Sequence, residues 1–238
     1  MLQAKDLHIG YRNKTIADQI NLEVHLGEMI CLLGQNGVGK STLMRTLSDM
    51  QAALSGEIQL EGFSMSHYSK NSLATKIGIV TTKRVGTSNM TVREMVALGR
   101  FPYTNWFGKE SSIDKEAIES AIKLCEIQYL ESSRIGEISD GQFQKTMIAR
   151  AIAQDTAYVF LDEPTAHLDI VNRRGVFKLL HEIKNKNKGI IISTHELDLA
   201  LEFSDRLWLM DFNKPLITGR TDDLNNRGEV QKIFHFEG

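Results

Sequence analysis

Two short stretches carry the residues whose types and spacing point to chemistry. The first, residues 34 to 42, reads GQNGVGKST, a glycine, four residues, then Gly-Lys-Ser. Glycines let backbone N–H groups turn inward around phosphate oxygens, and a helix opening at Lys40 adds the partial positive charge of its N-terminus. Gly34, Asn36, Gly37, Gly39 and Thr42 would form the cradle, Lys40 would reach the β and γ phosphates of a nucleotide, and Ser41 would ligate Mg²⁺. The second stretch, residues 158 to 164, reads YVFLDEP, an apolar run that ends in two carboxylates. Asp162 at the strand end is placed to hold Mg²⁺ directly or through water. Side chains alternate along a strand, so Glu163 need not compete for that ion and can polarise an attacking water.

Each stretch has a bland alternative: a glycine turn with an exposed lysine, or a strand end carrying two solvated acids. The flanks argue against both, because a phosphate loop needs a strand before it and a helix after it, and α/β sheets place ligands at the carboxyl ends of their strands. Nucleotide binding by itself leaves a kinase, a GTPase, a recombinase-type motor and a transport ATPase open.

The elements that must position these residues follow from hydrophobic patterning. MICLL (29 to 33), IGIVT (77 to 81), YVFLD (158 to 162), GIIIST (189 to 194) and RLWLMD (206 to 211) are short apolar runs rich in β-formers. Such runs are expected as strands buried on both faces. Helical patterns lie between them, after residue 40, from 141 and from 171, which implies a mostly parallel α/β sheet. LQAKDLHIGY, TIADQINLEVHL and EIQLEG read instead as antiparallel strands, an N-terminal β subdomain. Residues 91 to 135 read as a helical insertion, opened by a capping box at Thr91 and Glu94 and continued near IDKEAIESAIKLCEI. The chain is expected to form one domain, with core and β subdomain over about 1–90 and 156–238 and a helical subdomain over about 91–155.

Composition excludes several classes. The 238 residues suit one large domain, and 28 Lys+Arg against 30 Asp+Glu give a net charge of -2. Nothing global therefore argues for wrapping nucleic acid or lying on anionic lipid, and no nucleic-acid partner is expected. Cys31 and Cys125 sit in apolar contexts without metal-ligand spacing and read as small buried residues of a reducing compartment. The start MLQAKDLHIGYRNK lacks a signal-peptide pattern, no apolar run approaches the ~20 residues that span a bilayer, and the protein is expected on the cytoplasmic side.

Taken in order, these motifs resemble the ATP-binding cassette (ABC) ATPases over nearly the whole chain. GQNGVGKS matches that family's phosphate loop, ISDGQ (138 to 142) its signature sequence, YVFLDEP its Walker B segment, AHLD (166 to 169) its D-loop and STH (193 to 195) its switch region. The resemblance implies the P-loop ABC fold, with ATP and Mg²⁺ as ligands. It also implies that Tyr11 stacks on adenine and that His195 contacts the γ-phosphate and helps Glu163 orient the water. In the family two cassettes close head to tail, so Ser139, Gly141 and Gln142 of one chain would grip the ATP held by the other. Asp169 doubles as a good helix N-cap.

The chain departs from the family where a glutamine usually follows the strand IGIVT. It reads TTKRVG there, and no glutamine occurs between Gln59 and Gln128. Thr82 is the best match, a shorter side chain that could still hold a water or the metal. The signature has Ile138 for leucine and Asp140 for a first glycine, and Asp140 is expected to face away from the triphosphate.

Ser41 and Ser139 lie 98 positions apart with no sustained heptads between them, which excludes the coiled-coil chromosome-maintenance cassettes. TVREMVALGRFPYTNWFGK (91 to 109) resembles a segment of bacterial importers for iron-siderophore, haem and vitamin B12, whose GR-x-P-[YH] pattern Gly99, Arg100, Pro102 and Tyr103 match. Aromatic residues there would suit a groove for a partner's coupling helix, or simply a packing turn. The expectation is an ATP-hydrolysing importer subunit on the cytoplasmic face of the bacterial inner membrane. It would pair with itself, with integral membrane permease subunits and indirectly with a substrate-binding protein, for uptake of an iron chelate, haem or a cobalamin-like compound. The alternatives are a soluble iron-sulfur assembly ATPase and an ATP-binding adaptor that scarcely hydrolyses. The transported compound never touches such a subunit, so its residues do not specify it.

Overall fold

The computed structural model describes residues 1–12, 14–81, 89–104, 110–166 and 168–234. Two sheets organise them. The four-stranded sheet, in order β2-β1-β4-β5, is antiparallel and comprises β1 (Leu2–Tyr11), β2 (Lys14–Val24), β4 (Ser55–Leu60) and the short β5 (Phe63–Ser64). The six-stranded sheet runs β10-β9-β3-β8-β7-β6. In it β3 (Met29–Gly34), β6 (Ile77–Thr81), β7 (Tyr158–Asp162), β8 (Gly189–Ser193) and β9 (Arg206–Met210) are parallel, and β10 (Ile217–Arg220) returns antiparallel on the edge.

The apolar strand runs are apolar because both faces are covered. Along β3, Met29, Cys31 and Leu33 point into a core shared with helices, whereas Ile30 and Leu32 point into a second core shared with the antiparallel sheet. β7 and β8 divide the same way, with Val159, Leu161, Ile190 and Ile192 on the helical side and Tyr158, Phe160 and Ile191 on the other. Each such side chain, fully buried, contributes roughly 1.5–3 kcal/mol.

The helices are α1 (Lys40–Leu47), α2 (Lys70–Ala74), α3 (Val92–Ala97), α4 (Ser112–Leu124), α5 (Asp140–Ala153), α6 (Ile170–Lys184), α7 (Leu197–Phe203), α8 (Thr221–Asn226) and α9 (Glu229–Phe234). The starts expected at Thr91 and Asp169 carry their caps, and two further capping boxes form that the sequence reading did not single out. Capping boxes close at Thr91 with Glu94, at Ser111 with Asp114 and at Ser139 with Gln142, and Asp169 caps α6 through Asn172. Helices α3, α4 and α5 pack on one another as the helical insertion, and a 3₁₀ stretch, Leu98–Tyr103, follows α3 directly.

That stretch holds the GRFPY motif, in which Gly99 and Arg100 are buried while Phe101 and Tyr103 are exposed. A Cβ on Gly99 would lie 2.2 Å from the Arg150 carbonyl oxygen, so only glycine lets this turn meet α5. Arg100 is buried; its Nε donates to Asp114 Oδ1 at 2.8 Å and its Nη1 to the Ala153 carbonyl at 2.9 Å. Tyr103 lies against that guanidinium, 4.0 Å from its ring centroid, and donates to the Gln154 carbonyl at 2.9 Å. The packing-turn reading therefore holds for Gly99, Arg100 and Tyr103, while Phe101 is 73 % exposed. Trp106 and Phe107 lie outside the described residues.

Candidate nucleotide site

The phosphate loop leaves the carboxyl end of β3 and enters α1. Its glycines are required by space and backbone angle: a Cβ on Gly34 would lie 2.3 Å from the Met210 carbonyl oxygen, and Gly39, at φ 118, would drive one to 2.4 Å from Ile16 Cγ2. Gly37 takes φ 82 at the exposed tip beside Asn36. Lys40 is only 5 % exposed, and its ammonium donates to the carbonyls of Gly34 at 2.8 Å and Gln35 at 3.2 Å. Burial lowers its pKa, with Glu163 and Asp162 pulling the other way.

Strand β7, two places from β3 with β8 between, brings in the carboxylates. Asp162 Oδ1 accepts from Ser41 Oγ at 3.1 Å and from Ser193 Oγ at 2.5 Å. Glu163 follows in the left-handed region, φ 50, and its Oε1 lies 3.8 Å from Lys40 Nζ. The two acids therefore part because the chain turns at Glu163, and not only through strand alternation; a non-glycine residue held at positive φ is characteristic of functional sites. Ser193 was missed as a participant in the sequence. Its hydroxyl donates to Asp162 and accepts from the Glu163 N–H at 3.0 Å, joining the ends of β7 and β8. The available signal was its place at the end of the strand beside β7.

Tyr11, 51 % exposed at the end of β1, places its hydroxyl 3.3 Å from Thr42 Oγ1, beside the start of α1. The structure thus brings together Tyr11, Gly34, Gly39, Lys40, Ser41, Thr42, Asp162 and Glu163. Thr82 lies outside the described residues. His195 is exposed, and among the described residues it makes no hydrogen bond or ion pair with Glu163; its Nε2 lies 3.3 Å from Glu196 Oε1. Glu196 also accepts from Arg173 Nη1 at 2.5 Å, a pair that sequence reasoning did not find.

Ser139, Gly141 and Gln142 stand apart from this cluster, at the exposed start of α5. Ser139 Oγ accepts from the Gln142 N–H at 3.3 Å and the Gln142 Oε1 accepts from the Ser139 N–H at 2.9 Å. Gly141 faces Leu168 and the first turn of α6, where an added Cβ would touch Leu168 and Asn172 at 3.6 to 3.8 Å. Asp169, the N-cap of α6, has its pKa lowered by the Asn172 N–H it accepts. Asp140 is exposed in the first turn of α5.

Comparison with known proteins matches this arrangement to one family. The family described as ABC transporter matches residues 17–166. An ABC transporter ATP-binding protein of Methanocaldococcus jannaschii is 35% identical over 98% of this chain and 81% of its own length. The ferric enterobactin transport ATP-binding protein FepC of Escherichia coli is 32% identical over 98% of this chain and 86% of its own. Among solved structures, an inward-facing transporter described as of metal-chelate type superposes with a TM-score of 0.85 at 27% identity, covering 98% of this chain and 88% of that one. By that family match and those relatives, this chain belongs to the ATP-binding subunits of ABC transporters, ATPases that hydrolyse ATP to power transport.

Proposed function

We propose that the chain powers import of an iron chelate, haem or a cobalamin-like compound, working as a head-to-tail pair on membrane permease subunits. One observation carries the catalytic part: Asp162 at the end of β7 accepts from Ser41 in the first turn of α1 and from Ser193 at the end of β8, with Glu163 and Lys40 within 3.8 Å of each other beside them. Lys40 exchanges the Gly34 and Gln35 carbonyls for phosphate oxygens when ATP enters. Tyr11 stacks on the adenine, and Gly34, Asn36, Gly37, Gly39, Ser41 and Thr42 close around the phosphates. Glu163 accepts the proton of the attacking water. His195 leaves Glu196 to meet the γ-phosphate, and Ser139, Gly141 and Gln142 of a second copy close the site from the other side.

The oxygen-only set of Ser41, Asp162 and Ser193 fits a hard cation, and Ser41 and Asp162 would hold it, with Thr82 nearby in sequence to the strand end. Among the described residues no cluster of three His, Cys, Asp or Glu side chains could hold an ion by itself, and phosphate oxygens and waters would add to the ligands that Ser41 and Asp162 supply. Bound Mg²⁺ supplies charge neutralisation on the phosphates.

The cargo reading rests on the likeness to FepC and to the metal-chelate transporter, together with the GR-x-P-Y match. No helix of the described residues is long and apolar enough to cross a membrane. The chain reaches the inner cytoplasmic face by docking on its permease, which in turn meets a substrate-binding protein. A cavity of about 600 Å³ lined by Met90, Arg93, Ala97, Leu98 and Phe101 supports the helical insertion as that docking face. The deciding experiment is Glu163→Gln: ATP binding should persist within a few-fold while turnover falls at least ~100-fold, as expected for loss of a general base. Wild-type turnover by that variant would remove Glu163 from the role.

A further inference from the structure

The contacts of His195 form a chain that the catalytic reading leaves unused. Its Nε2 lies 3.3 Å from Glu196 Oε1. The same oxygen accepts from Arg173 Nη1 at 2.5 Å, and Arg173 Nε donates to the Leu168 carbonyl at 2.6 Å. Both ends are anchored. The Glu196 N–H donates to Thr194 Oγ1 at 3.0 Å while the Thr194 N–H donates to Leu32 on β3, and the Arg173 N–H donates to the Asp169 carbonyl at 2.9 Å. The Glu196 side chain is 17 % exposed, so its charge is partly desolvated and its partners matter. Leu168, in turn, is the residue that an added Cβ on Gly141 would touch.

We propose that Glu196 holds His195 in a resting position away from Glu163, and that Arg173, by sharing that carboxylate oxygen and gripping the Leu168 carbonyl, ties the release of His195 to movement of the segment before α6. The proposal rests on the reading of His195 as a γ-phosphate contact. Arg173 competes with His195 for one oxygen, so its grip weakens the histidine's hold. When Leu168 and Asp169 shift against the start of α5, Arg173 moves with them and the shared carboxylate is redistributed. Glu196 and Arg173 are positioning residues, acting through His195.

The two single substitutions should act in opposite directions. Glu196→Gln keeps the shape and removes the charge, and should raise basal ATP turnover of the full chain about three- to tenfold. Arg173→Gln leaves His195 as the ion-pair partner of the Glu196 carboxylate among the described residues, and should lower turnover by a similar factor. ATP affinity should move less than twofold in both, since neither residue touches the phosphate loop. The readout that a merely structural role would not produce is a double-mutant cycle: on a His195→Ala background both effects should vanish. Effects that persist there, unchanged turnover, or changes of the same sign in both variants would overturn the proposal. A loss of turnover that tracks a fallen melting temperature would overturn it as well. If Glu196→Gln does not fold, Arg173→Gln alone decides in the same cycle. Full turnover by His195→Ala itself would instead remove His195 from the γ-phosphate, a different failure from that of the latch.

Discussion

Ser193 joins the two acids whose roles must stay distinct. Its hydroxyl gives its proton to Asp162 and takes the N–H of Glu163, so it sets the carboxylate on one side and the backbone turn at φ 50 on the other. The Glu163 N–H also donates to the Ser193 carbonyl at 3.1 Å, so the turn itself survives loss of the side chain. Ser193→Ala therefore removes a hydrogen bond to a charged group, roughly 1.5–3 kcal/mol, without unmaking the fold. Expressed in the transition state, that loss is about a tenfold to hundredfold fall in turnover with ATP affinity nearly unchanged. Parallel measurement of turnover and nucleotide binding checks it; equal loss in both would place Ser193 in ground-state binding instead.

Element packing explains both what could be read in the sequence and what could not. The five buried strands were legible because a strand covered on both faces is apolar along most of its length, as in β8, where Ile190, Ile191 and Ile192 are buried in succession. The capping box at Thr91 was legible because its partner, Glu94, lies three residues on. The acid pair was visible as types, but the turn that separates Asp162 from Glu163 was not, since nothing local demands positive φ at a glutamate. Pairings across the fold were also hidden: Arg100 finds Asp114 14 residues on, and Arg173 finds Glu196 23 residues on. The first of these ties the 3₁₀ stretch to α4. Hydrogen bonds from the Ser111 hydroxyl and N–H, then from Arg100, lower the Asp114 pKa to about 2 from its ordinary 3.8. A depressed carboxylate pKa stabilises the fold fully above the ordinary value, and that contribution is lost as pH falls from about 4 towards 2. Asp114→Ala, which leaves the buried Arg100 without its anion, should cost about 3 kcal/mol at pH 7, and the gap to wild type should narrow below pH 4. Thermal melts of both proteins at pH 7 and pH 3 test this; a gap independent of pH would mean the ion pair is not what Asp114 contributes.

At the scale of the whole molecule the two features proposed to bind phosphate sit on different elements. Lys40 and its glycines sit at the end of β3, whereas Ser139 and Gly141 open α5, and among the described residues no hydrogen bond joins the two groups. Helix α1 packs on β1, β3, β7 and β8, while α5 packs on α3, α4 and β6. A closed isologous pairing with two-fold symmetry would give each phosphate loop the other chain's α5 start, and makes a prediction that a self-contained site does not. Lys40→Ala disables a chain's own loop but leaves its α5 start intact; Ser139→Arg does the reverse. Each variant alone should be nearly inactive. In a mixed pair, one site collects both defects and the other collects none. Random mixing in equal amounts makes about half the pairs mixed, each with one live site, so about a quarter of wild-type activity should return if sites act independently. Turnover measured across a series of mixing ratios, with the variants co-expressed so that they exchange, would show a maximum at equal amounts. Activity that stayed at the level of either variant across the series would mean that the α5 start serves its own chain's phosphate loop.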